Sequence, residues 1–269
     1  MKKTGKTGIV YLVGAGPGDP ELLTLRAYRL LKTSDVVAHD KLISKTILNL
    51  IPKKTEKISV GRRGYRSMGT APSIHPEVIE KAKAGKSVVR LKSGDPMLFG
   101  RGGEEAIALS EAGITFQIVP GVTAALGAAS SLGIPLTQRF ISSDVTFATA
   151  HTSHGPMANL LDWASLPARG TIVLYMVSHH LKENMKRLIE YGRSPDTPAA
   201  FVSAATLKAE RVVIGTVSNL AKLVGHIDDK HASLVIIGEV VSIHEKIKSL
   251  AVTGYVGKGK EAGRICHWP

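Results

Sequence analysis

Residues 9–23, Ile9-Val10-Tyr11-Leu12-Val13-Gly14-Ala15-Gly16-Pro17-Gly18-Asp19-Pro20-Glu21-Leu22-Leu23, decide how the chain is read. The run 9–13 is apolar on both faces, the pattern of a strand buried inside a parallel sheet, and a glycine-rich turn follows it directly. A helical pattern over 22–32 comes next. Strand, turn and helix in that order open an α/β unit. The glycines invite a dinucleotide-binding reading, which fails on spacing. A GxGxxG fingerprint needs its third glycine where Asp19 stands, and Pro17 lacks the N–H that a pyrophosphate would use. What is left is a tight turn lifting Asp19 off the carboxyl end of the first strand, where open α/β sheets bind ligands. Helix capping by Asp19 is the competing explanation of the same residue.

Outward from this segment the alternation continues. Strands are expected over 36–38, 58–60, 88–91 and 116–119, and helices over 45–50, 76–84 and 104–112, the last two stopped by Gly85 and Gly113. After Val119 the texture shifts to Pro120-Gly121 and a small-residue helix over 122–131. A second series follows, with strands over 145–148, 171–176, 199–203, 211–214 and 234–241 and helices over 159–164, 181–190 and 218–224. This predicts two α/β domains, 7–119 and 120–245, and a basic, flexible tail over 246–269.

Composition sets the outer bounds. The chain has 269 residues, 43% of them hydrophobic, too apolar for a disordered polyelectrolyte. Its apolar runs stop far short of the ~20 residues a membrane crossing needs. Met1-Lys2-Lys3 imitates the start of a secretory leader, but the apolar stretch behind it ends at Gly14, so a cytoplasmic protein is expected. A single cysteine, Cys266, leaves no internal disulfide and no cysteine metal cluster. His179-His180 lacks partners at metal-ligand spacing and reads as a surface pair. The net charge of +13 draws anions, which can be nucleic acid, lipid or a polycarboxylate metabolite. Lysines at both ends read as solvated. Arg62, Arg63, Arg66, Arg90, Lys92, Arg101 and Arg139, set among glycine-rich turns, are candidates for an anionic ligand.

The densest segment is Ser93-Gly94-Asp95-Pro96-Met97-Leu98-Phe99-Gly100-Arg101-Gly102-Gly103-Glu104-Glu105. A buried strand ends at Gly94-Asp95-Pro96, and a glycine-spaced loop presents Arg101 ahead of a helix that begins with two acids. Glu104 and Glu105 suit a helix N-terminus electrostatically. Arg101 has no such structural reason to be there. Glycines on either side of it would let the backbone approach a flat ligand while Arg101 pairs with a carboxylate.

Several segments now stand in order: 14–19 with Leu22-Leu23-Thr24, His39-Asp40-Lys41-Leu42-Ile43-Ser44, 94–105, Pro120-Gly121-Val122-Thr123-Ala124-Ala125, Gly133-Ile134-Pro135-Leu136-Thr137-Gln138-Arg139, Tyr175-Met176 and Gly238-Glu239-Val240-Val241. Together, over about 9–242, they resemble the uroporphyrinogen-III C-methyltransferases of the tetrapyrrole methylase family. The resemblance implies the two-domain α/β tetrapyrrole-methylase fold with its active-site cleft between the domains. It also implies a homodimer, S-adenosylmethionine as methyl donor with S-adenosylhomocysteine as product, and a small-molecule tetrapyrrole polycarboxylate as substrate. Membrane and nucleic-acid partners are not implied. The residues it implies for the cofactor are Pro17, Gly94, Asp95, Leu98, Phe99, Thr123, Ala124, Met176 and Ala205. Around the macrocycle it places Asp19, Asp40, Arg101, Glu104, Arg139 and Met176. The chain departs from the family at Ser93, Gln138, Ala150, Val177, Ala205 and Ala232; Ser93, Val177 and Ala205 are expected to narrow a cofactor trough.

The chemistry so implied is methylation at C2 and C7 to give precorrin-2, by in-line displacement from a sulfonium followed by proton loss. It needs alignment and exclusion of water and no metal. Candidate bases are Asp19, Asp40, Glu104 or an unusually deprotonated Arg101, with a carboxylate or water favoured. Arg101 is too strong a base to be easily deprotonated and is assigned as an anchor for substrate. Two other readings stay open: a precorrin or ribosomal RNA methyltransferase of the same superfamily, and a non-catalytic tetrapyrrole- or nucleic-acid-binding paralogue. Aromatic residues at 5% and the lack of an RNA-binding module weigh against RNA.

Overall fold

The computed structural model describes residues 7–60, 74–149, 161–227 and 230–254. Arg62, Arg63, Arg66, Ala150 and Cys266 lie outside them. The chain divides into two units, Met1–Thr123 and Ala124–Pro269.

The first unit runs β1 (Ile9–Gly14), α1 (Leu25–Thr33), β2 (Val36–His39), α2 (Lys45–Leu50), β3 (Glu56–Ser59), α3 (Pro76–Lys83), β4 (Val88–Lys92), α4 (Gly102–Glu111) and β5 (Thr115–Val119). Its strands form one sheet in the order β3-β2-β4-β1-β5, every pair parallel. Val13, Val89 and Leu91 pack with Ala27, Leu31 and Ile47 of α1 and α2. Val10, Leu12 and Val88 pack with Val78, Ala82 and Leu109 of α3 and α4 on the opposite face. Period-two alternation in strands covered on both sides explains why β1 reads as a continuous apolar run and β4 as one broken only by Arg90 and Lys92. The helix expected over 22–32 is in fact two pieces. Asp19 caps a short 3-10 turn, Pro20–Leu22, through Glu21 N (2.9 Å), and Thr24 Oγ1 accepts from Ala27 N (3.1 Å) to begin α1 afresh.

The second unit contains α5 (Ala124–Leu132), β6 (Val145–Thr149), β7 (Thr171–Tyr175), α6 (Leu181–Glu190), β8 (Pro198–Ser203), β9 (Arg211–Thr216), α7 (Leu220–Val224), β10 (Ser233–Ile237) and α8 (Ile243–Gly254). Its sheet is mixed, in the order β6-β7-β10-β8-β9, with β10 antiparallel to both neighbours. Phe201, Ile172, Leu174, Val235 and Ile237 meet Leu181, Met185 and Leu188 of α6 and Leu220 and Val224 of α7 in its core. The strand expected over 234–241 ends at Ile237, because Gly238 turns the chain at φ 141° and Glu239–Ser242 coils into a 3-10 turn. Of the helix expected over 159–164, the described part is a 3-10 turn, Trp163–Ser165, capped by Asp162. The chain from 246 to 254 is helical, where composition suggests an irregular tail.

Candidate active site

In the first sheet β1 and β4 are neighbours, yet β1 feeds a helix on one face and β4 a helix on the other. That arrangement is a topological switch point, the place where open α/β sheets leave a crevice at the carboxyl ends of their strands. The turns after β1, β4 and β5 meet there. Gly94 N donates to Gly16 O (2.9 Å), Gly16 N to Gly94 O (3.2 Å), and Ala15 N to Lys92 O (2.8 Å). The turn after β5 closes on both, so tightly that a Cβ on Gly121 would stand 2.3 Å from Gly94 O and 2.8 Å from Gly14 Cα. Glycine is needed there for backbone contact.

This brings Pro17, Gly94, Asp95, Leu98, Phe99 and Thr123 into one loop cluster. Asp95 spends its carboxylate inside the cluster, accepting from Met97 N (2.8 Å) and Gly121 N (2.9 Å). Phe99 and Arg101 hold left-handed backbone, φ 53° and 58°. Gly100 and Gly102 do not open space for a ligand as their sequence suggests. A Cβ on either would meet the Asp95 or Pro96 carbonyls, so they let the loop fold on itself. Pro17, Leu98 and Phe99 in these turns are half-buried.

The charged candidates fall into two sets. Arg101 starts α4 and points into solvent, its Nε and Nη2 both donating to Glu104 Oε2 (2.8 and 2.5 Å). Arg90 and Lys92, expected to face an anionic ligand, are instead buried under α4 and paired within the protein. Arg90 Nη2 donates to Asp40 Oδ1 (2.6 Å) and Nε to Glu105 Oε1 (3.0 Å). Lys92 Nζ lies 2.8 Å from Glu105 Oε2, a charge contact outside hydrogen-bonding geometry. Burial first, and then Arg90, pull the Lys92 ammonium below its ordinary range against Glu105 and Asp40. Glu105 is therefore a buried counter-ion, missed by the capping explanation. The clue in the sequence was Arg90 and Lys92 inside an otherwise apolar strand, which demands acids from elsewhere.

In the second unit Met176, directly after β7, is left-handed (φ 58°) and exposed, with its N–H donating to Ser233 O (3.1 Å). Ala204 and Thr206 are left-handed too, and flank Ala205. Ala204 N donates to Ala232 O (3.0 Å), so Met176, Ala205 and Ala232 occupy one end of this sheet. Val177 is fully buried in the core of this unit, so it narrows no trough. Ala124 begins α5, where Tyr175 Oη accepts from Ala125 N (3.2 Å). Arg139 lies exposed in a short loop closed by Gln138 and Ser142, which exchange backbone hydrogen bonds of 2.9 Å.

Residues 9–221 match the Tetrapyrrole (Corrin/Porphyrin) Methylases. The chain is 43% identical over 243 residues to the S-adenosyl-L-methionine-dependent uroporphyrinogen III methyltransferase of Methanosarcina barkeri, covering 90% of this chain and 95% of that protein. It is 46% identical over 248 residues to the siroheme synthase of Acinetobacter baylyi, covering 92% of this chain and 54% of that protein. The chain thus spans about half the length of the siroheme synthases it matches. The uroporphyrin-III C-methyl transferase of Thermus thermophilus, in complex with S-adenyl homocysteine, superposes with a TM-score of 0.75 at 39% identity, covering 88% of this chain and all of that one.

Proposed function

Because this chain belongs to the tetrapyrrole methylases, we propose that it is an S-adenosylmethionine-dependent uroporphyrinogen-III C-methyltransferase, adding methyl groups at C2 and C7 of the macrocycle to give precorrin-2. The observation that carries this reading is the loop cluster at the β1/β4 switch point, where the turns that bear Pro17 and Gly94 are hydrogen-bonded to each other and Leu98 and Phe99 follow in the second. S-adenosylmethionine, when bound, supplies a methyl group already activated on a sulfonium. The protein has three tasks: to align the pyrrole carbon with that methyl, to exclude water, and to take the proton displaced from the carbon. Pro17, Gly94, Asp95, Leu98, Phe99, Thr123, Ala124, Met176 and Ala205 hold the adenosyl ligand, Asp95 through its main chain because its carboxylate is already engaged.

Arg101, Glu104, Arg139 and Met176 hold the macrocycle, with the two exposed arginines on its carboxylates. Among the acids, Asp40 is the base we assign. Asp19 caps a turn and Glu104 gives Oε2 to both donors of Arg101, while Asp40, whose Oδ1 accepts from Arg90 on its buried side, sits at the carboxyl end of β2 with 26% of its side chain exposed. The family resemblance also implies a homodimer working in the cytoplasm, and among the described residues no helix is long and apolar enough to cross a membrane. Mass spectrometry after anaerobic incubation with uroporphyrinogen III and S-adenosylmethionine tests the reading. Addition of two methyl groups is expected; addition of one, or methylation of ribosomal RNA in a parallel reaction, overturns it.

A further inference from the structure

We propose that Arg90 and Glu105 are positioning residues for the Asp40 carboxylate, forming a buried bracket that fixes it relative to α4. The proposal rests on the assignment of Asp40 as the base.

Each donor group of the Arg90 guanidinium has its own partner. Nη2 reaches Asp40 Oδ1 (2.6 Å), Nε reaches Glu105 Oε1 (3.0 Å), and Nη1 reaches Leu91 O (3.2 Å). Asp40 is also tied to the same strand through its backbone, its N–H donating to Leu91 O (3.1 Å). It follows the last residue of β2, outside the ladder, so these contacts with β4 set where its side chain goes. Arg90 and Glu105 keep 8% and 6% of their side chains exposed and Asp40 keeps 26%. The carboxylate is thus gripped from its buried side and open on the other.

Stability does not explain this expense. Burying a guanidinium and its partner carboxylate costs about as much desolvation as their attraction returns, and an apolar layer of equal volume would hold β4 to α4 at least as well. A planar guanidinium does what an apolar layer cannot, fixing one carboxylate in distance and angle from a second. Lys92, 2.8 Å from the other oxygen of Glu105, balances the cluster at two charges of each sign. Glu105 follows Glu104 in the first turn of α4, which Arg101 begins. The bracket therefore locks the base to the helix that carries the substrate-side pair.

The test is steady-state methylation of uroporphyrinogen III by Arg90→Lys, Glu105→Gln and Asp40→Asn proteins and by the Arg90→Lys/Asp40→Asn double variant, with S-adenosylhomocysteine affinity measured by calorimetry. An ammonium cannot reach both carboxylates, so Arg90→Lys is expected to lower kcat on the order of 10-fold to 100-fold, the usual cost of a misplaced catalytic group. KM and the Kd for S-adenosylhomocysteine should stay within about threefold, because neither ligand is held by Arg90. In the Asp40→Asn background, Arg90→Lys should change kcat by less than about twofold, since its effect passes through Asp40. Glu105→Gln keeps the side-chain volume and serves if Arg90→Lys does not fold; it should lower kcat in the same direction. Wild-type kcat in both Arg90→Lys and Glu105→Gln with an inactive Asp40→Asn overturns the bracket and leaves the base in place. Independent, multiplying losses from Arg90→Lys and Asp40→Asn also overturn it. Wild-type kcat in Asp40→Asn removes the base assignment, and the bracket with it.

Discussion

Gly121 N donates to Asp95 Oδ2 at 2.9 Å, a bond that joins the turn after β5 to the turn after β4 across 26 residues of sequence. The other oxygen of the same carboxylate accepts from Met97 N at 2.8 Å, so one side chain sets the shape of two of the three turns at the switch point.

Asp95→Ala should therefore cost about 2 kcal/mol of stability, the loss of two charge-assisted bonds to backbone amides, and weaken S-adenosylhomocysteine binding with it. Asp95→Asn keeps one acceptor and should lose less. Urea unfolding and calorimetry on the two variants check both statements.

Arg101→Ala and Arg139→Ala should weaken substrate handling and spare the cofactor. Losing one charge-assisted bond to a carboxylate costs about 1.5 to 3 kcal/mol, roughly 10 to 150-fold in affinity. We expect kcat/KM for uroporphyrinogen III to fall by that factor and the Kd for S-adenosylhomocysteine to stay within about twofold. Stability should hardly change, because Arg101 is 63% exposed and its pair with Glu104 is screened. Arg101→Gly suits the left-handed backbone at φ 58° and removes the guanidinium without new strain. Arg101→Lys should rescue poorly, since an ammonium cannot reproduce the guanidinium fork.

Lys92 makes stability depend on alkaline pH. Burial, and after it Arg90, hold its pKa below the ordinary 10.5, while the unfolded chain titrates at the ordinary value. Between the lowered value and 10.5 the unfolded state binds more protons than the folded one, so stability rises with pH through that window. Urea unfolding at a series of pH values should show this rise in the wild type and its loss in Lys92→Met. A wild-type curve that falls relative to Lys92→Met through the same window would contradict the burial argument.

Arg193 does for the second unit what Asp95 does for the first. It is 3% exposed, and donates to Pro167 O (3.0 Å), Gly170 O (2.6 Å) and Ile237 O (3.3 Å), tying the approach to β7 to the end of β10. Arg193→Met strands three carbonyls and should cost about 3 kcal/mol. Thermal unfolding followed by hydrogen exchange should show the loss concentrated in β7 and β10.

Some of this could be read along the chain. Helices α2 and α6 cover 45–50 and 181–190, the spans that apolar periodicity assigns, because a capping serine such as Ser44 and a repeat of apolar residues act between near neighbours. The strand before Gly14 and the turn to Asp19 are local in the same sense. Gly238 hides the end of β10 from such a reading, because Val240 and Val241 after it are as apolar as a strand and are buried by packing in a 3-10 turn.

The sequence by itself determined that strands and helices alternate, that glycine-rich turns follow β1 and β4, and that arginines and acids gather near them, all consequences of short-range pattern. Only the tertiary structure decided which charges face solvent and which are buried. Arg90 and Arg101 look alike in sequence, yet Arg90 lies beneath α4 between Asp40 and Glu105 while Arg101 stands exposed beside Glu104. Asp40 lies 50 residues from Arg90 and Glu105 lies 15 from it, so no local window contains the whole set. The environment of a charge is set by everything the folded chain packs around it, and parallel pairing of β2 with β4 under α4 is what brings these three side chains together.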